Sequence, residues 1–296
     1  MSKFAGKTAI ISGGAEGIGF SVAQAVGKQG MNVVIADIDA DQLQQAKVKL
    51  EAQGIDVLAV QMDVSKQDQW QAVAEQATAR FGKIHMLVNN AGVCGTPGAI
   101  EQTDDKDWQW VLGVNLMGVI YGAEAIVPLM KEHGEGGWLI NVASMAGMMG
   151  VPLAGPYTAT KVAVVGMSES WHTELQPHNI QVSVLCPAFV KTRINLAHRN
   201  KQSEYSNEAQ LDVNADDEPS DLAVHLQNVI DAGLAPEIVG ERVVEAISAG
   251  ELYIFTHPNY RKVVQARFKA IDDAFERAAS SPLLQHVLNE DVASFS

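Results

Sequence analysis

Cysteine and positive charge are what this 296-residue sequence has least of: two cysteines, Cys94 and Cys186, and 21 lysines and arginines against 35 aspartates and glutamates. Two distant thiols in apolar stretches build no disulfide framework and suit a reducing cytoplasm. A net charge of −14 argues against nucleic acid and against an anionic membrane surface as partners, since both repel an acidic chain. No Cys/His spacing supplies a metal set; Glu169 and His172 share a helix face, but two ligands without a third read as a surface pair. Internal repeats and low-complexity tracts are also missing. One stretch, 136–160, carries no charged side chain and has the length of a membrane span. Asn141, Ser144, Pro152, Pro156, Tyr157 and several glycines break any single helix there and fit strand, loop and helix start instead. The opening residues lead directly into a strand, with no signal-peptide pattern.

What the chain does have is alternation. Apolar runs near 7–12, 31–37, 56–61, 84–89, 137–142, 180–185 and 251–256 predict strands, with helices between them, the longest at 104–132 and 156–175. That order is α/β. It predicts a Rossmann-type doubly wound parallel sheet, a single domain over 1–296, with ligands in the crevice at the carboxyl ends of the strands.

The first strand, Lys7 to Ser12, runs into Gly13-Gly-Ala-Glu-Gly-Ile-Gly19 and then into a helical period from Ile18 to Gln29. Bare backbone at a helix N-terminus can approach a pyrophosphate closely. The spacing Gly13-x-x-x-Gly17-x-Gly19 is not the plain Gly-x-Gly-x-x-Gly fingerprint, and an ordinary tight turn is the competing reading. The second strand, Met31 to Asp37, ends in a carboxylate about 20 residues past that turn, where a ribose is held in such folds. Asp37 can accept both adenosine ribose hydroxyls and would repel a 2′-phosphate, and no lysine or arginine stands at 15, 16 or 38 to neutralise one. NAD is therefore favoured over NADP. Asp39 and Asp41 read as loop and cap residues for a helix starting near Gln42.

Tyr157 and Lys161 stand four residues apart, a spacing that a helix stacks on one face. Free tyrosine ionises near pH 10, so a general base near neutrality needs a shift of about 3 units, or roughly 4 kcal/mol. A fixed lysine and a cationic cofactor together could supply it. Leu87-Val-Asn-Asn-Ala-Gly92, Asn115 and Asn141-Val-Ala-Ser144 precede this pair in that order. Together these residues resemble the short-chain dehydrogenase/reductase family, closely over 4–192 and more loosely beyond.

The resemblance implies that Ser144 hydrogen-bonds the substrate oxygen, Tyr157 exchanges its proton, Lys161 holds the nicotinamide ribose and lowers the tyrosine pKa, and Asn115 orients a water on a proton path to solvent. It further implies cofactor contacts from Gly13, Gly17, Ile18 and Gly19, from Asp37, from Asp63 and Val64 beside the adenine, from Asn90 on the adenosine side, and from Thr192 at the nicotinamide amide. Ser12 stands where the family has threonine, and Ala188 where it has a glycine after the proline. The chemistry agrees with these roles. Hydride removal from a secondary alcohol requires its hydroxyl proton to leave, and Tyr157 is the base at hand. Ser144 can donate to an oxygen that gains negative charge.

Substrate choice belongs to the irregular segments. Met145, Met148, Met149, Val151 and Leu153 suggest an apolar, adaptable wall, with packing filler as the other reading of the methionines. Residues 188–235 read as an enlarged substrate lid, acidic over Asp212 to Glu218 and amphipathic through Leu222, Leu226 and Ile230. Residues 251–296 form a carboxyl-terminal extension, a last strand followed by a helix to about Ala279. Ala154-Gly-Pro-Tyr157, Pro187-Ala188 and the Tyr253-Ile254-x-x-His257-Pro258 ending are similar to a longer branch of the family, the dehydrogenases that oxidise benzylic alcohols of lignin-derived aryl ethers. A bulky hydrophobic or aromatic secondary alcohol, or its ketone, is the implied small-molecule substrate. Trp108, Trp110 and Trp171 lie on the long helices through which such enzymes pair, which implies a homodimer or homotetramer. Cys94 reads as a small packing thiol, with pocket lining as the other reading. An NAD-retaining epimerase or dehydratase, and an NAD sensor without turnover, are the competing functions.

Overall fold

The seven apolar runs become seven parallel strands: β1 (Thr8–Ser12), β2 (Asn32–Asp37), β3 (Val57–Gln61), β4 (Met86–Asn89), β5 (Gly137–Val142), β6 (Ile180–Cys186) and β7 (Tyr253–Phe255), in the order β3-β2-β1-β4-β5-β6-β7. The computed structural model describes residues 2–206 and 221–292. Every residue of β1, β4 and β5 is buried, as expected of strands covered on both faces. Neighbouring residues feed opposite layers, as the pleat requires. Ile11 and Ile35 join a core with Val22, Val26, Val239 and Val243, whereas Ile10 and Leu87 join one with Trp70, Val73, Ile126 and Met130. β7 is shorter than the predicted run because it pairs only with Val184 to Cys186 at the sheet edge.

The helices are α1 (Gly17–Lys28), α2 (Ala40–Glu51), α3 (Gln67–Phe81), α4 (Asp105–Leu112), α5 (Gly118–His133), α6 (Gly155–Leu175), α7 (Asp221–Asp231), α8 (Pro236–Ala249) and α9 (Arg261–Ala279). Asp39 caps α2, accepting the Gln42 N–H at 3.0 Å. The single helix expected over 104–132 is α4 and α5 joined by a π-helical stretch, Gly113–Met117, with Asn115 at its middle. That continuous helix, Asp105–His133, is long and apolar enough to cross a membrane, yet Trp110, Val111, Val114, Ile126 and Met130 lie in the core. Trp110 is therefore a packing residue.

Residues 136–160 divide into β5, a 3₁₀ turn at Met145–Gly147, a loop and the start of α6. Past β6, the chain forms 3₁₀ turns at Ile194–Asn200 and Ser203–Tyr205, a strap whose far end returns where Val190 bridges Leu234. The acidic run Asp212 to Glu218 lies outside the described residues. Residues fall into two compact units, Met1–Thr256 and His257–Ser296. The first holds the whole sheet; the second holds α9 and a 3₁₀ turn at Pro282–Val287.

Candidate active site

At the carboxyl edge of β1 the backbone turns through Gly13 and Gly17, with φ of +61° and +55°, which side chains rarely tolerate. A Cβ on Gly13 would lie 2.8 Å from Asn90 Nδ2, one on Gly17 3.0 Å from Thr192 Cγ2, and one on Gly19 2.1 Å from the Gly13 carbonyl oxygen. Asn90 braces the turn, its Nδ2 donating to the carbonyls of Ser12 (2.8 Å) and Gly13 (3.0 Å). Ser12 Oγ accepts the N–H groups of Asn90 and Ala91 at 3.0 and 3.2 Å, so the methyl that a threonine would add is not needed for either bond. Asp37 accepts from the Ala15 N–H at 3.1 Å and the Asp39 N–H at 3.2 Å; burial raises its pKa and those bonds oppose the rise. Ile18 packs partly against the core. A side-chain-free turn at the N-terminus of α1, beside a carboxylate, fits the diphosphate and ribose of a dinucleotide.

The strap, part of the segment read as a lid, is tied to this turn by side-chain pairs that the sequence did not disclose. Glu16, inside the glycine turn, pairs with Arg193 and Arg199. Asp63 Oδ2 accepts from Gln202 Nε2 at 2.8 Å, and its other oxygen accepts from Ser65. The carboxylate expected beside an adenine is thus engaged by the strap. Val64 is buried, its carbonyl accepting from Trp70 Nε1 at 3.1 Å. Lys201 and the buried Asp107 pair at 3.3 Å.

Tyr157 and Lys161 share the first turns of α6, and the lysine Nζ lies 5.5 Å from the tyrosine ring centroid. Lys161 donates to the Val142 carbonyl at 2.9 Å, and burial pushes it down to about 8. Burial pushes Tyr157 up, with the Cys94 thiol adding to the rise and the Ser144 hydrogen bond opposing it. Lys161, desolvated and donating to Val142, does not by itself offset the burial of the phenol, so the acidification expected of this site falls to the lysine and a cationic cofactor together. Ser144 Oγ accepts the Ala146 N–H at 3.1 Å, capping the turn, and donates to the Pro187 carbonyl at 3.4 Å.

Asn115 is fully buried; its Oδ1 accepts the Val93 N–H and its Nδ2 donates to the Val93 carbonyl, both at 2.8 Å. Its amide is a brace between the segment after β4 and the long helix. A second buried chain, Asn89 to Asn141 to Ser168, with 3.0 Å links, ties β4 and β5 to α6. Spacing alone carried no sign of it.

The family model for short chain dehydrogenases matches residues 7–203. The chain belongs to that family. It is 33% identical to a C alpha-dehydrogenase of Sphingobium sp. (strain NBRC 103272 / SYK-6), over 95% of this chain and 90% of that protein. It is also 32% identical to a CLA biosynthesis dehydrogenase/reductase of Lactiplantibacillus plantarum, over 92% of this chain and 95% of that protein. Among solved structures, a short chain dehydrogenase/reductase from Burkholderia phymatum in complex with NAD superposes with a TM-score of 0.85 at 36% identity, covering 92% of this chain and 96% of that one. Two relatives of nearly equal identity, 33% and 32%, carry different names, so overall identity leaves the substrate open.

The rim of this dehydrogenase's site is apolar, though not quite as its methionines suggested. Met145 and Met148 are buried packing residues, whereas Val151 (40% exposed) and Leu153 (49%) face outward. Leu153 has φ +62°, unusual for a side chain with a γ-branch, and its carbonyl accepts the Gly98 N–H at 2.9 Å. Phe189 and Leu196, on the strap, are also exposed. Cys94 is half-buried, raised to about 11 by burial against the pull of Lys161, so it stands at the site as a neutral thiol.

Elsewhere, Glu169 accepts from the Tyr253 hydroxyl at 2.5 Å and is engaged by that phenol. At the amino edge of the sheet, His85, His133 and Glu135 are close enough to suggest a metal set. Hydrogen bonding fills them instead. His85 Nδ1 accepts the Thr8 N–H at 3.2 Å and its Nε2 meets Glu135 at 3.0 Å; His133 Nδ1 accepts the Glu135 N–H at 3.1 Å and its Nε2 meets the Ile84 carbonyl at 2.7 Å. No ring lone pair is left over for a cation.

Proposed function

We propose that this chain is an NAD-dependent oxidoreductase that interconverts a secondary alcohol and its ketone, with a bulky hydrophobic or aromatic substrate. The observation that carries it is Ser144 hydrogen-bonded to Tyr157, with Lys161 one helical turn along. NAD, when bound, supplies the hydride acceptor. The chain's own part is proton handling and orientation. Tyr157 takes the alcohol proton, and in the reverse direction gives it back. Ser144 donates to the substrate oxygen, lowering the cost of charge there. Lys161 holds the cofactor ribose and Asp37 the adenosine ribose, with Gly13, Gly17, Ile18, Gly19, Asp63, Val64, Asn90 and Thr192 lining the rest of the cleft. Asn115 keeps the segment after β4 against α6.

Val151, Leu153, Phe189 and Leu196 support a bulky apolar substrate, because each presents surface that gains from cover. Likeness to the C alpha-dehydrogenase supports an aryl-bearing one. Cys94 and Cys186 are both free, in keeping with a reducing cytoplasm, and a homodimer or homotetramer completes the reading. The test is NADH formation and loss across secondary alcohols and ketones, from small aliphatic to benzylic and steroid-sized, with NADP in parallel. Activity should concentrate on bulky aryl alcohols with NAD. Silence across the panel despite NAD binding would overturn it.

A further inference from the structure

Glu16 stands at the N-cap position of α1, yet its carboxylate makes no capping bond, and no other acid stands in the first turn. An acid at that place ordinarily accepts the free N–H groups of the first turn and is favoured by the helix dipole. Here it is turned away. Arg193 Nε donates to Glu16 Oε2 at 2.6 Å, Arg193 Nη2 reaches the same oxygen, and Arg199 Nη2 reaches the other. Arg199 is itself fixed, its Nη1 donating to the carbonyls of Arg193 and Leu196 at 3.1 and 3.0 Å. The chain passes close to the glycine turn just before Arg193, since a Cβ on Gly17 would meet Thr192 Cγ2.

These bonds decide the charge at the turn. A free carboxylate there would occupy the N–H groups that suit a diphosphate and would repel that anion as well. Two guanidiniums draw the carboxylate off the helix end and leave one positive charge in excess. The sequence around them agrees: residues 191–201 carry Lys191, Arg193, Arg199 and Lys201 and no aspartate or glutamate, within a chain of net charge −14. We infer, on the cofactor reading above, that Arg193 and Arg199 are positioning residues for NAD, holding Glu16 clear of the N-terminus of α1 and so reserving that helix end for the diphosphate. A pair that only fastened the strap would behave differently, because losing either side of it would then act alike.

The test is calorimetric titration of the full chain with NAD and, separately, with adenosine, which has the base and ribose but no phosphate. Arg193→Gln with Arg199→Gln should weaken NAD binding about tenfold or more, since the freed carboxylate then caps the helix and repels the diphosphate, and should leave adenosine binding within about twofold. Adding Glu16→Ala to that pair should restore most of the NAD affinity. Glu16→Ala alone should leave NAD binding equal or tighter. If the pair only fastened the strap, Glu16→Ala alone would weaken NAD binding as the arginine changes do, and would rescue nothing. That result, an unchanged NAD affinity in the arginine form, or equal losses for NAD and adenosine would each overturn the inference while leaving the cofactor assignment standing. Failure of the unaltered chain to bind NAD would overturn both.

Discussion

The two edges of one sheet each collect polar groups, and they use them in opposite ways. At the amino edge, Lys7, Lys83, His85, His133 and Glu135 satisfy one another. At the carboxyl edge, Ser144 is held by Pro187 and Ala146 and Lys161 by Val142, while burial leaves the Tyr157 phenol raised and the ammonium weakened. The first edge is a closed network and the second a loaded one. Chemistry sits where burial strains protonation without satisfying it, and not simply where titratable groups gather.

Substitutions can break that contrast. The largest effect is expected from Lys161→Ala, which should lower turnover by about 10³-fold and weaken NAD binding in calorimetry, since ribose and proton roles meet in one ammonium. Ser144→Ala should cost about 10² to 10³ in rate. It should also move the acid limb of kcat/KM for alcohol oxidation to higher pH. The base must be deprotonated, and Ser144 is what holds the Tyr157 pKa down against burial. A limb that stays put would separate Ser144 from the phenol. Asp37→Ala should lose about 1.5–3 kcal/mol of NAD affinity and narrow the preference over NADP; an unchanged ratio would show that this carboxylate does not set it.

The smallest effect sharpens the other side of the contrast. Burial holds His85 below its usual 6.5, so below that pH the unfolded chain takes the proton first and stability falls with acidification. Glu135, brought down to about 2 by Lys83 and then His85, acts in the same sense, its contribution lost as pH falls. His85→Asn keeps an acceptor for the Thr8 N–H and removes the titration. Its melting temperature should depend less on pH below 6.5, with kcat/KM unchanged. An altered rate would mean the edges are coupled.

Much of this was legible in the sequence because it is local. Strand periods, the glycine turn, the Asp39 cap and the four-residue step from Tyr157 to Lys161 are all written within one element. The parallel order followed from alternation alone. What was not legible is long-range side-chain pairing, which leaves no period: Gln202 reaching Asp63, Glu16 holding Arg193 and Arg199, Asn115 spending its amide on Val93. The surroundings of the Tyr157 and Lys161 pair were hidden for a related reason. Spacing places a lysine near a phenol but says nothing of the Val142 carbonyl that accepts a hydrogen bond from it, or of the burial that weakens the ammonium. For Met145 and Met148 the sequence left pocket wall and packing filler both open, and the fold buries both.

The most direct measurement is Tyr157→Phe assayed for alcohol oxidation beside a calorimetric titration with NAD on the same preparation. The account predicts no measurable hydride transfer with NAD affinity nearly intact, because the phenol acts on the substrate proton. Full turnover by the phenylalanine form would contradict it.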